Sequence, residues 1–275
     1  MLKGKKTSGL PGFGLTLGLS MMYMSLLVLI PLFSLILYSV RLSPGEYWQI
    51  ITNDRVLAAF RVSFSSALFA ALIDGFFGFI IAWVLTRYSF YGKRVIDALI
   101  DLPFAIPTAV AGITLSYLFT ANSRLGRFLM DHEIEIGLTN AGIVIALTFI
   151  GLPFVVRTVQ PVLQDFDKEL EEASASLGAN FYKTFLRVIL PSIAPALITG
   201  FAMAFARGLG EYGSVIFIAT NMPYESEIVP RLIVQKLLNF DYKGASAIGT
   251  AMLACAFTLL LIINLLQHRL QRRII

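Results

Sequence analysis

Six stretches of this chain are each long and apolar enough to cross a lipid bilayer, and they decide what it can fold into. They run over about 14–40, 58–86, 98–120, 138–160, 192–220 and 244–266. A hydrocarbon core about 30 Å thick takes roughly 20 helical residues at about 1.5 Å each. Only helices and closed barrels satisfy their own backbone groups in lipid. These runs are far longer than barrel strands and lack strict alternation, so the expected fold is an all-α membrane protein with about six transmembrane helices. Composition agrees. Of 275 residues, 57% are apolar and 14% charged, with mean hydropathy +0.76, whereas a soluble domain carries about 25% charged residues. Residues 1–275 read as one transmembrane domain.

The remaining composition excludes several chemistries. The single cysteine, Cys255, lies in an apolar run, and one thiol forms no intrachain disulfide. His132 and His268 lie far apart among polar residues, so the sequence supports neither metal binding nor redox chemistry. The first apolar stretch follows Lys3, Lys5 and Lys6 and exceeds the roughly 7–15 residues of a signal-peptide core, so it reads as an uncleaved span. With the N-terminus in the cytoplasm, thirteen of the 22 lysines and arginines fall on inner segments, among them Arg87, Lys93, Arg157, Lys183, Arg269, Arg272 and Arg273. That bias places both termini inside. The net charge of +5 then reflects topology and an anionic lipid surface, with no nucleic-acid motif to suggest another partner.

The polar connection between the fourth and fifth spans, 161–191, is long. Asp165, Asp167, Glu169, Glu171 and Glu172 crowd its start, where a helix N-terminus favours negative charge. Gly178 offers a turn. A second helix then carries Phe181, Phe185 and Val188 on one face, until Leu190-Pro191 begins the next span. On these residues alone the segment is either a solvated loop or a compact protrusion able to transmit force to a soluble partner.

Glu172-Ala173-Ser174, three residues, Gly178, nine residues, then Val188-Ile189-Leu190-Pro191 resembles the EAA loop of ABC importer permeases, with Ser174 for alanine and Val188 for isoleucine. The resemblance implies a type I importer fold of the molybdate/sulfate kind, in which this loop docks in a groove of a separate ATPase. Glu172 would supply a charge contact and Gly178 the bend, with Ala173, Ser174, Val188, Leu190 and Pro191 completing the motif. The chain has no phosphate loop, since Gly92-Lys93 is followed by Arg94. It is therefore expected to be no enzyme and to bind no cofactor, with ATP used by the partner subunit.

Further segments narrow the resemblance: Asp101 to Gly112, Pro153 to Pro161, Arg207 to Ala219, and Phe240-Asp241-Tyr242 with Ala245 to Ile248. Together they look like the T-type (or U-type) permeases of sulfate/thiosulfate importers. That family implies a bacterial cytoplasmic (inner) membrane, a related W-type permease or a second copy, two ATPase subunits, and a periplasmic or lipid-tethered sulfate-binding protein. Molybdate or tungstate permeases are similar around Gly210-Glu211-Tyr212-Gly213 and stay open as an alternative.

Candidate residues for the path lie within the spans. Arg207, near the middle of the fifth, stands four residues before Glu211 on one helix face. The pair reads either as a lining of the path or as an internal salt bridge. Asp74, flanked by Gly75 and Gly78, reads as a bond across a close helix interface or a group beside water. Pro103 and Pro107 would bend the third span and free carbonyls beside Thr108. An ion-coupled secondary transporter using Asp74 and Glu211 is the alternative from another class; it would not need the 161–191 protrusion. Asp97 and Asp101 share a helix face and read as anchors at its cytoplasmic end.

Overall fold

The computed structural model describes residues 12–274 and is all helix and loop over that range. The expected inner lysines Lys3, Lys5 and Lys6 lie outside the described residues, as do the side chains of His268, Arg269, Arg272 and Arg273. In chain order the helices are α1 (Phe13–Val40), α2 (Pro44–Ile51), α3 (Asp54–Arg87), α4 (Lys93–Ile100), α5 (Leu102–Ala105), α6 (Thr108–Phe119) and α7 (Arg124–Asp131). They continue with α8 (Asn140–Gln164), α9 (Lys168–Ser176), α10 (Phe181–Leu209), α11 (Val215–Ile218), α12 (Val229–Leu238) and α13 (Tyr242–Ile274). Among the described residues five of these, α1, α3, α8, α10 and α13, are long and apolar enough to cross a membrane.

The expected third span, 98–120, is not one helix. It is broken into α4, α5 and α6, and α6 with its 12 residues is about 18 Å long, short of a bilayer core. Proline explains both breaks. Pro103 sits in the first turn of α5, where its missing N–H costs nothing. Pro107 forces Ile106 into an extended conformation (ψ 131°) and starts α6 afresh. The prolines therefore interrupt the span where a bend was expected.

The fifth span also differs from its expected 192–220. Its helix begins at Phe181 and ends at Leu209. Leu190-Pro191 begins nothing: a π-helical turn at Phe185–Ile189 precedes it, and the Leu190 N–H donates to the Phe185 carbonyl five residues back. A proline cannot donate to the carbonyl four residues before it and its ring crowds that carbonyl. The wider turn makes room, so the helix passes through. Pro31 in α1 follows a π turn at Ser25–Leu29 in the same way.

The core forms where α3, α8 and α10 pack together through small residues. Ala67, Ala70 and Ala71 of α3 are buried with Val155, Val156 and Val159 of α8 and Ala204 and Phe205 of α10. A Cβ on Gly78 would stand 2.9 Å from the Val155 Cβ, and one on Gly200 2.8 Å from the Val155 Cα. Without apolar solvent exclusion to drive them together, helices in lipid depend on such close approach. Gly75 does not contribute, because nothing lies within 4 Å of where its Cβ would be. Helix α1 stays outside this core; of its residues 30–40 only Ser39 is buried, bonding Thr250 of α13 at 3.1 Å.

Gly200→Ala therefore presses a methyl onto backbone. It should lower stability in detergent by about 1–3 kcal/mol, the usual cost of overpacking. Gly75→Ala, facing open space, should leave the melting temperature unchanged or slightly raised. Thermal unfolding of the two purified variants checks this.

Candidate functional site

The polar connection folds as a helix, a turn and a second helix. Asp167 caps α9 by accepting from the Glu169 N–H at 2.9 Å, and Glu169 and Glu171 follow in its first turn. Gly178 ends the helix with φ +80°, the left-handed region that glycine enters without cost. The Gly178 N–H donates to Ala175 O (2.9 Å) and the Ala179 N–H to Ser174 O (3.1 Å), closing the last turn. Asn180 then caps α10, accepting from the Lys183 N–H at 3.0 Å. Across the turn Ser174 Oγ and Thr184 Oγ1 stand 2.9 Å apart.

This hairpin turns its apolar tip outward. Leu177 is 90% exposed, and Phe181, Tyr182 and Leu170 are exposed beside Glu172 and Ala173. Val188, expected on the loop's second helix, and Leu190 and Pro191, expected at the start of a span, all lie inside α10. Sequence reading missed the loop's attachment to the bundle: Arg87, last residue of α3, pairs with Glu171. Its guanidinium lies over the rings of Trp83 (5.1 Å) and Phe166 (5.8 Å).

A second tie on the same side holds the broken span. All five N–H groups of Arg157 in α8 are used. Nε and Nη2 donate to the two carboxylate oxygens of Asp101, Nη1 to Asp97 Oδ1 and Gln160 Oε1, and Nη2 also to the Asp97 carbonyl, all at 2.7–2.8 Å. Asp97 and Asp101 are thus anchors, and Arg157 is what they anchor to. Its only sequence signal was the spacing of two acids on one face.

At the far end of α10, Arg207 Nη1 pairs with Glu211 Oε2 at 2.6 Å. Arg207 is in the last turn of the helix, away from the mid-span position expected from a 192–220 helix. Glu211 is 2% exposed, and its Oε1 accepts from the Ser214 N–H (2.9 Å) and hydroxyl (3.1 Å). The turn it shapes lies on α6. A Cβ on Gly213 would meet Thr108 Oγ1 at 2.3 Å, and one on Gly112 the Ser214 carbonyl at 2.3 Å. Thr108, Pro107, Arg207 and Glu211 therefore gather at one place, while Pro103 belongs to the Arg157 end.

Asp74 stands apart. It is 1% exposed and faces α8, where a Cβ on Gly151 would come within 2.1 Å of Oδ2. Neither carboxyl oxygen has a hydrogen-bond partner among the described residues. It lies at a close helix interface but makes no bond across it. On the face opposite the loop, a cavity of about 600 Å³ is lined by Glu46, Arg55, Tyr224, Lys236, Asp241 and Lys243 among others. Arg55 is committed to the buried Glu227 at 2.7–2.8 Å, and Lys236 with the Gly244 amide holds the Asp241 carboxyl below its ordinary range.

Comparison with known proteins places this architecture. The family model for the inner membrane component of binding-protein-dependent transport systems matches residues 75–275. The chain belongs to that family. It is 47% identical over 266 residues to the sulfate transport system permease protein CysT of Escherichia coli (strain K12), covering 97% of this chain and 96% of that one. It is 44% identical over 249 residues to CysT of Synechocystis sp., covering 90% and 87%. In fold the permease matches a bacterial alginate ABC transporter solved with an alginate pentasaccharide-bound periplasmic protein, at TM-score 0.76 and 15% identity over 92% of this chain and 93% of that one. A methionine ABC transporter, MetNI, in inward-facing form matches at TM-score 0.55 and 18% identity, over 85% of this chain and all of that one. At such identities the likeness speaks for the fold alone.

Arg157→Lys keeps the charge of the permease but loses the planar fork that serves two carboxylates at once. It should lower stability by about 1–2 kcal/mol, as expected when a charge-assisted pair is broken at a partly exposed site. Asp97→Asn, which leaves the bidentate Asp101 contact intact, should cost less. Denaturation of both variants in detergent gives the ranking.

Proposed function

We propose that this chain is the permease subunit of an ATP-driven importer that carries sulfate and thiosulfate across the bacterial cytoplasmic membrane. The observation that carries the reading is the 161–191 hairpin, a capped acidic helix and a left-handed glycine turn that project an exposed apolar tip. Such a tip is costly in water unless a partner covers it. The near full-length identity to CysT sulfate permeases supports the substrate class and the partners: ATPase subunits beneath the loop, a W-type permease or a second copy beside it, and a sulfate-binding protein on the opposite face.

On this reading the chain does no covalent chemistry. ATP binding on the partner displaces the hairpin, and α10, continuous with it as one helix, moves with it. With the hairpin in the cytoplasm, the Gln267 end of α13 is also cytoplasmic: α13 starts beside Asp241 at the cavity opposite the loop and its 33 residues run back across the bundle, Gln267 bonding Thr199 in the second half of α10 at 2.8 Å. The secondary-transporter alternative loses support, since Glu211 is already committed to Arg207 and Ser214.

The test is labelled sulfate uptake by proteoliposomes holding this chain, a partner permease, the ATPase and the binding protein. Gly178→Val is the informative variant. No atom lies within 4 Å of the added Cβ, so only the backbone is strained, by about 1–3 kcal/mol. Uptake should require ATP and fall by about tenfold in Gly178→Val, while Gly178→Asn, which tolerates positive φ, retains most of it. ATP-independent uptake driven by an ion gradient would overturn the reading; competition by molybdate but not thiosulfate would move the substrate class.

A further inference from the structure

Two consecutive glutamates in α9 face different ways. Glu172 is exposed, as a group for a soluble partner would be, whereas Glu171 is turned inward to Arg87. Successive helix residues differ in direction by about 100°, so one short helix can present one carboxylate outward and the next inward.

The inward contact is built with care. The Arg87 side chain is 15% exposed and that of Glu171 29%. The guanidinium lies over the Trp83 and Phe166 rings, and Arg87 Nε is buried with no hydrogen-bond partner among the described residues. A desolvated cation of this kind has one counter-charge among the described residues, Glu171, and losing it leaves a charge in a poor solvent. The cluster continues into α10. Phe185, in the π turn, meets the Trp83 ring edge-on at 5.8 Å and the Phe79 ring at 6.0 Å. Ser174–Thr184 closes the other flank. Helix α9 is therefore fastened to α3 at one side and to α10 at the other, and both helices lead directly into the small-residue core.

We infer that Arg87 is the positioning residue through which the hairpin drives the transmembrane core: Glu171 hands the displacement of α9 to α3, while Glu172 faces the partner. Covalent continuity moves α10 with the loop in any case. Helix α3 has no such continuity with α9, since α4 to α8 lie between them in sequence; beside its packing on α8 and α10, its direct link to α9 is the Arg87–Glu171 pair. This rests on the importer reading above and names a step within it.

The test uses the complete reconstituted assembly and measures sulfate uptake and ATP hydrolysis together. In Glu171→Gln and Arg87→Gln the ATP hydrolysed per sulfate carried should rise about five- to tenfold, as expected for a broken coupling contact. The ATPase should still co-purify with the permease. The double variant should be no worse than either single one, and Arg87→Lys should fall between, keeping charge but losing the planar stack on Trp83. If uptake and hydrolysis fall in proportion, or the two single losses add in the double variant, the tie serves only folding or docking and the inference is overturned. If Arg87→Gln does not insert, Glu171→Gln decides alone, and an unchanged ratio there overturns it too. ATP-independent uptake by the parent would be a different failure, that of the importer reading itself.

Discussion

In a bilayer, a backbone N–H or C=O left without a protein partner costs several kcal/mol, so a chain can leave the helix only where other groups take over its hydrogen bonds. This constraint explains where the structure is irregular. The third crossing is broken by Pro103 and Pro107, and Arg157 saturates the first break, reaching the Asp97 carbonyl as well as two carboxylates. The end of α10 is resolved the same way: Glu211 takes the Ser214 N–H, and the turn it forms is pressed onto the start of α6. Both of these interruptions are thus bound to a neighbouring element.

On the importer reading the 161–191 hairpin lies beyond the membrane, where the constraint relaxes. Its shape is set by local chemistry, by the Asp167 and Asn180 caps and the left-handed Gly178. Its outer face is apolar and exposed, and its inner face is wired by charge and aromatic contact to the helices of the core. A rigid element with a free tip and a fixed base suits a part that is pushed from below.

Much of this was legible in the sequence because it is local. The long apolar runs, the acidic start of α9, the glycine turn and the EAA-like spacing all depend on neighbours within one or two turns. Arg207 and Glu211, four apart, do pair. What escaped was of two kinds. Proline acts differently at two places: Pro107, which reads as a bend, ends the helix outright, and Pro191, which reads as a helix start, is passed through because a π turn makes room for it. Long-range ties were also missed. Arg87 meets Glu171 across 84 positions and Arg157 meets Asp101 across 56, and no periodicity records such a meeting. Asp74, between Gly75 and Gly78, reads from sequence as a bond across a helix interface or a group beside water; that it faces Gly151 of α8 with neither oxygen partnered among the described residues appears only in three dimensions.

The most direct measurement is cross-linking from the hairpin tip. With the exposed Cys255 replaced by serine, a cysteine at Leu177, 90% exposed, serves as the single reactive position. In the assembled importer it should cross-link to the ATPase subunit, with a yield that changes between the nucleotide-free and ATP-bound states. An assembly that still takes up sulfate with ATP, yet gives no cross-link to the ATPase in either state, would contradict the account.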